Sequence, residues 1–450
     1  MMSFLIPIVA CFSISAPQYA AEPAGAEPAG AEPAGAELAG AEPAGAEPAG
    51  AEPAGAEPAG AEPAGAEPAG AELAGAELIF EAVPKHNHGS SIVETAAGDL
   101  IACWFHGSGE RRSDDVVIQG ARKRKADQKW CQPFLMADSQ DLPDCNPVLF
   151  IDPRGTLWLF WIAVQNNEWG GSLVKYRTAT DYAADGPPQW NWQDVIHCRP
   201  LNFEAKALAA IGEAEIQFAD LLAANERYKG MIAELKEKAK DKLTTRLGWM
   251  TRLHPIMTSQ NRIMLGLYTD VFSCSLAAFT EDWGKTWSFS EPIITYNIGN
   301  IQPAFVKKTN GNIIAMMRDN GLPKRIRRAE SADGGVTWGD IQNMEIPNPG
   351  SSVDAIALSS GNWVLVCNDT TNGRHLLTAY LSDDEGATWK WKRPLENFQP
   401  DAGSGAYPCV IQAADKTIHC TYSFVRKDVE GSCIKHAWFN EDWIKQATAQ

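Results

Sequence analysis

Before Lys85 the chain has no basic residue, and before Asp99 it has no aspartate. Its ten cysteines stand singly with no CxxC pair, so neither a zinc site nor a dense disulfide framework is indicated and buried thiols are the plain reading. No excess of positive charge exists either. Of the 56 acidic residues twelve lie in residues 21–78, so 44 remain against 39 Lys and Arg, a net charge of −5 for residues 79–450. Nucleic-acid binding through a basic face needs a clear surplus of Lys and Arg and is excluded, while a small anionic ligand remains open. Nor is there a membrane span. The apolar stretch Phe4 to Ile14 is too short to cross a bilayer.

That stretch, ending in small and polar residues near Ala20, reads as a signal peptide over residues 1–20. Export to a secreted, periplasmic or cell-surface location is expected. Ile8-Val9-Ala10-Cys11 also matches a lipoprotein attachment box, which would anchor the chain through Cys11. From Ala21 to Gly75 the chain is eleven copies of Ala-Glu-Pro-Ala-Gly, with Leu for Pro at Leu38 and Leu73. A segment with nine Pro, eleven Gly and a like charge every fifth residue cannot build a core, so residues 21–78 are expected to be a disordered, extended spacer. Replication slippage with no selected role explains the same tract.

All 16 Trp fall in residues 79–450, read as one large domain. Self-similarity appears there as Thr280-Glu-Asp-Trp-Gly-Lys-Thr-Trp287, Ser331-Ala-Asp-Gly-Gly-Val-Thr-Trp338 and Ser382-Asp-Asp-Glu-Gly-Ala-Thr-Trp389. Asp282, Asp333 and Asp384 are spaced 51 residues apart. Each motif follows an apolar strand-like run and carries turn chemistry: the Asp accepts backbone N–H groups, the Gly takes a positive φ, and the Trp packs on its own sheet. These aspartates are structural. Weaker versions lie around Arg122–Trp130 and Thr180–Trp192. A period near 50 with four strands per unit indicates propeller blades, and dividing the length gives about six. An insert, Phe203–Leu243, carries Leu208, Ile211, Ile216, Leu221, Leu222, Ile232 and Leu235 at helical spacing. It reads as one or two helices packed on the propeller, or as a coiled-coil partner site. The fold class is therefore all-β, a six-bladed β-propeller with a short helical insertion, preceded by a signal-like segment and a low-complexity spacer.

The three motifs resemble the Asp boxes of the sialidase (neuraminidase) superfamily, over nearly all of residues 80–445. The resemblance implies a central pocket with three arginines on a substrate carboxylate, a Tyr nucleophile with a Glu base, and an Asp acid/base. Arg318 and Arg374, each ahead of a box, match the second and third arginines, and Tyr407 in Gly405-Ala-Tyr-Pro408 matches the nucleophile. Asp114, or Asp115, matches the acid/base. Two positions depart: His86-Asn-His-Gly-Ser-Ser-Ile92 stands where the first arginine is expected, placing His88 there, and Gln302 stands in place of the glutamate. An amide takes no proton, so Tyr407 lacks its base. The chain resembles a divergent subgroup.

Two guanidiniums converging in a pocket select an acidic sugar, whereas the plain alternative is surface salt bridges. Arg252 and His254 form a polar cluster that would supply the missing cation or serve the structure. His86, His88 and Glu94 carry zinc-ligand types, but nothing fixes their convergence, and no metal or cofactor is expected. Asn146-Pro147 reads as a blade-opening turn. Tyr422, Arg426 and His436 line the pocket or close the last blade. The first functional reading is an exo-glycosidase acting on a terminal carboxylated sugar, with Asp114 as acid and Tyr407 as nucleophile or cation stabiliser. The second is a uronate lyase, with His88, His254 or Tyr407 as base and acid in β-elimination. The third is a carbohydrate-binding propeller without turnover. A monomer with an acidic glycan as partner is expected.

Overall fold

The structure, a computed structural model, describes residues 74–295 and 299–446. The signal-like segment and the tract up to residue 73 lie outside the described residues. Among the described residues twenty-five strands form six antiparallel sheets. Blades 1 to 6 span residues 86–137, 144–195, 250–289, 300–347, 354–397 and 403–439. The first strands of successive blades pack on one another, except that blade 3 meets blade 4 through Ile263–Thr269, and blade 6 returns to blade 1, closing a ring. This is the expected six-bladed propeller. Its middle strands are apolar on both faces because each sheet is sandwiched between two others; Leu157–Val164 (LWLFWIAV) is buried throughout.

The three Asp boxes fill one structural position, the turn between a blade's third and fourth strands. In each, the Thr four residues after the Asp closes on the carboxylate through its backbone N–H and hydroxyl: 2.9 and 2.6 Å at Asp282, 3.0 and 2.6 Å at Asp333, 2.8 and 2.6 Å at Asp384. Burial raises each carboxyl, but these bonds more than offset it, so all three titrate low and Asp384 falls to about 2. The weaker versions at 122–130 and 180–192 occupy the same turn in blades 1 and 2.

The boxes also tie blades together, which local turn chemistry does not reveal. Trp287 packs against Phe160 and Tyr176 of the preceding blade rather than on its own sheet alone, and the Tyr176 hydroxyl donates to the Gly284 carbonyl at 2.7 Å. Arg262 of blade 3 donates to the Gly334 carbonyl at 2.9 Å, and the Thr309 N–H of blade 4 donates to the Glu385 carboxylate at 2.7 Å.

Blade 6 takes its fourth strand from the other end of the chain. Ala74–Leu78 pairs antiparallel with Cys433–Phe439, so the last residues of the span expected to be spacer are a strand of the propeller. The insert forms helices Phe203–Gln217, Ala219–Ala223 and Glu226–Lys240. The third starts at Asn225, whose side chain accepts the Arg227 N–H at 3.0 Å. Its apolar residues Ile211, Leu222, Ile232 and Leu235 share one core with Trp249 and Phe272, so the stripe is spent on the propeller itself. Ile216, counted in the stripe, is 83% exposed instead.

The innermost strands carry the feature that builds the pocket. Gly89, Asn146, Gln302 and Tyr407 all have left-handed φ, of 64°, 52°, 56° and 58°. Each sits at a register shift in the first strand of its blade. Such bulges re-aim side chains, here toward the axis. Asn146-Pro147 is thus a bulge within Asp144–Ile151, not a blade-opening turn. Non-glycine residues held in this region store strain that the surroundings must overcome.

Candidate active site

Tyr407 is 9% exposed, at the bulge of Gly403–Gln412. Arg318, on Ile313–Asp319, donates from Nη1 to the Tyr407 hydroxyl at 2.6 Å, and the Arg374 guanidinium lies 5.0 Å from the same ring. The ring of His88, on the first strand of blade 1, is 4.1 Å from the Tyr407 ring, centroid to centroid. Four residues expected from sequence, on blades 1, 4, 5 and 6, therefore meet at the axis. Gln302 joins them, fully within the strand bulge, donating from Nε2 to the Tyr268 hydroxyl at 3.2 Å while its Oε1 is buried without a partner.

Charge sets the state of these groups. Burial raises the Tyr407 phenol, but Arg318, Arg374 and Gln302 more than offset that, leaving it below the ordinary tyrosine value. His88 is held well below its usual range by burial, then by His86 and three guanidiniums, so it is neutral. Arg318 is held protonated despite burial by Tyr407, Asp270 and Tyr268.

Arg252 lies deeper, with its guanidinium 5.1 Å from the Tyr407 ring. The Arg252 side chain is buried beneath Tyr407 and donates to the main-chain carbonyls of Ser90 (3.2 Å), Tyr407 (2.6 Å) and Pro408 (3.1 Å). It braces blade 3 against blades 1 and 6, fixing the strained backbone at Tyr407. His254 pairs with Asp354 at 3.3 Å, and Asp354 also accepts the Val410 N–H at 2.8 Å. Arg252 and His254 both have protein groups as partners.

Asp114 is exposed and accepts from Asn167 at 2.7 Å. Asp115 is tied to Lys85 and Ser108. The carboxylate of this loop that acts on Tyr407 is Glu110, paired with His86 at 3.2 Å and held low against its burial by His86, Arg374 and Arg111. A second carboxyl missed by sequence reading is Asp270, after strand Ile263–Thr269. Its Oδ1 is buried without a partner, and burial raises it while Arg318 and Arg111 oppose. Neither has a local sequence signal. Gln302 and Tyr407 do have one: together with Asn146 they precede a proline, at separations of 156 and 105 residues, near three and two blade periods.

The remaining candidates lie off the axis. Glu94 accepts the Ala414 N–H at 2.7 Å, at the opposite end of its strand from His86 and His88. Tyr422 donates to Glu396 of blade 5 at 2.6 Å, Arg426 pairs with Asp428, and His436 contacts Glu77 of the closing strand at 3.0 Å.

A profile of the BNR repeat-like domain matches residues 98–226 and 233–420, more than half of the sequence. The chain belongs to the BNR repeat-like domain family. A sialidase of Micromonospora viridifaciens is 26% identical over 180 residues, 38% of this chain and 26% of that protein. The matched region is thus about a quarter of that relative. The intramolecular trans-sialidase of Ruminococcus gnavus, solved with oseltamivir carboxylate, shares the fold with a TM-score of 0.58 at 12% identity, over 80% of this chain and 95% of that one. The NanB sialidase of Streptococcus pneumoniae gives a TM-score of 0.59 at 12% identity, over 82% of this chain and 71% of its own. The family member described here thus has the sialidase-like propeller, with His88 and Gln302 at the axis. Among its described residues no helix is long and apolar enough to cross a membrane.

Proposed function

We propose that this BNR repeat-like protein is an exo-glycosidase of sialidase type that removes a terminal carboxylated sugar from a glycan. The observation that carries the reading is the convergence of Arg318 and Arg374 on Tyr407. A guanidinium grips a carboxylate through a planar fork, so two at one tyrosine favour an acidic sugar over a neutral one. That the Ruminococcus gnavus neighbour holds oseltamivir carboxylate is in keeping with such a ligand.

In this reading the sugar carboxylate lies on Arg318 and Arg374, with the ring over Tyr407. Asp270, whose carboxyl is raised by burial against the pull of Arg318 and Arg111, is the group that gives a proton to the departing glycosidic oxygen. The Glu110 carboxylate, held ionised beside His86, takes a proton from the attacking water. Paired carboxyls pushed in opposite directions suit acid and base roles. Tyr407 stabilises the positive charge on the sugar; with Gln302 in place of a base, it is a poor nucleophile. Asp114 stays outside this set, held on Asn167.

One observation favours a second reading. His88 is neutral and packs on Tyr407, an arrangement suited to abstracting a proton next to a carboxylate and protonating the leaving oxygen, as a uronate lyase does. Product analysis separates them. Incubation with sialosides and with uronate-terminated oligosaccharides is expected to release the intact acidic sugar. An unsaturated, ultraviolet-absorbing product would establish the lyase instead, and binding with neither product would leave a lectin-like propeller.

A further inference from the structure

Tyr268 is a second phenol at the axis, linked to Tyr407 through Gln302. It lies on Ile263–Thr269, the strand by which blade 3 meets blade 4, and is 5% exposed. Its hydroxyl oxygen takes an amide N–H from each neighbouring blade: Asn146 Nδ2 of blade 2 donates at 3.1 Å and Gln302 Nε2 of blade 4 at 3.2 Å. Both amides hang from the left-handed bulges of their first strands, at φ of 52° and 56°, so two strained backbones deliver donors to one oxygen. A hydroxyl that accepts two donors has one hydrogen-bonding capacity left, its own proton. Among the described residues no group accepts it.

The orientation of the Gln302 amide follows from the same bookkeeping. Turned over, it would set Oε1 on Tyr268 and leave Nε2, with two N–H groups, where Oε1 now has no partner. Two stranded donors cost more than one stranded acceptor, which favours the present orientation. Tyr268 also keeps its proton. Burial, then Asp270 and Tyr407, hold the phenol above the ordinary tyrosine value, with Gln302 and Arg318 opposing. The group is therefore a neutral O–H donor, and the two amides on its oxygen polarise it into a stronger one.

Asp270 follows two residues later and is the first of the charges that act on this phenol. In the proposed hydrolysis that carboxyl serves the departing oxygen, so the unspent proton beside it gains an acceptor when substrate is bound. We propose that Tyr268 is a further catalytic residue, whose O–H donates a hydrogen bond to the glycosidic oxygen as it leaves. The proposal rests on the exo-glycosidase reading. In that step the bond from the anomeric carbon to the glycosidic oxygen breaks and its electron pair stays on the oxygen, which takes the Asp270 proton and departs as an alcohol. Water adds its oxygen to the anomeric carbon and gives a proton to Glu110; return of that proton to Asp270 through solvent completes the cycle. Tyr268 transfers nothing. Its hydrogen bond stabilises the negative charge on the leaving oxygen while proton transfer from Asp270 is incomplete.

The need for this donor depends on the leaving group. An alkoxide is unstable as an anion and requires it, whereas a nitrophenolate carries the charge on its own ring. The test therefore compares the full-length parent and Tyr268→Phe on the methyl and para-nitrophenyl glycosides of sialic acid and, in parallel, of glucuronic acid. The expected loss in kcat/KM is about 100-fold on the methyl glycoside and about 5-fold on the para-nitrophenyl glycoside of the sugar that the parent accepts. If Tyr268→Phe does not fold, adding Asn146→Gly removes one stranded amide and suits the left-handed backbone there, and the two losses are read against Asn146→Gly alone. Equal losses on the two leaving groups would make Tyr268 a structural residue and overturn the proposal, leaving the glycosidase reading intact. A parent that hydrolyses none of these glycosides would contradict that reading and the proposal with it.

Discussion

The rim and the axis of this propeller are built from the same strands under opposite rules. At the rim, Asp282, Asp333 and Asp384 repeat one turn, and each accepts the hydroxyl of the threonine four residues on at 2.6 Å. At the axis the blades present different groups apart from the paired arginines: His88, Gln302, Arg318, Arg374 and Tyr407 meet, with Gln302 Oε1, Arg318 Nε and Asp270 Oδ1 buried and unpartnered. Native proteins leave few such atoms unpaired, and those they leave need a reason such as a ligand or ordered water. The difference teaches that repetition in this chain encodes the scaffold, while departures from repetition encode chemistry.

The comparison can be broken at either end. Arg318→Ala is expected to lower kcat/KM on a carboxylated sugar by about 10²–10³-fold while Tm stays nearly constant, measured by steady-state kinetics beside thermal melting. Equal losses of activity and stability would make Arg318 another scaffold residue. Gln302→Glu should raise activity on sialosides by giving Tyr407 a base; a lyase should lose activity, since a new negative charge opposes the carboxylate. At the rim, Asp333→Ala should cost about 1–3 kcal/mol of stability in a denaturant titration, with kcat/KM on the folded fraction unchanged.

The smallest effect is in pH. His88 and His419 have folded values below the unfolded reference of about 6.5, His419 near 3, both chiefly through burial. The unfolded chain therefore binds more protons below pH about 6.5, so stability is full above that value and declines as pH falls toward the folded values. Urea midpoints from pH 7 to 4 should fall, and His419→Gln should flatten part of the decline.

The contrast also explains what was legible in the sequence. An Asp box is solved within eight residues, so its 51-residue spacing was enough to indicate blades and their number. Arg318, Arg374 and Tyr407 were legible through their positions relative to the boxes. Glu110 and Asp270 were not, because no local motif marks them and only the fold brings Arg374 to Glu110 and Arg318 and Arg111 to Asp270. The partners of Arg252 were illegible for the same reason: the carbonyls of Ser90 and Tyr407 are 162 and 155 residues away. The closing strand was hidden by composition, since Ala74–Leu78 is indistinguishable from the tract until paired with Cys433–Phe439.

The central claim is that Arg318 and Arg374 hold a sugar carboxylate at Tyr407. Its most direct test is calorimetric titration of the parent and of the Arg318→Ala, Arg374→Ala double variant with a carboxylated sugar and with its carboxamide. The account predicts that the parent binds the acid at least about 100-fold more tightly than the amide, and that the double variant loses this preference. Equal binding of acid and amide by the parent, or an undiminished preference in the double variant, would contradict it.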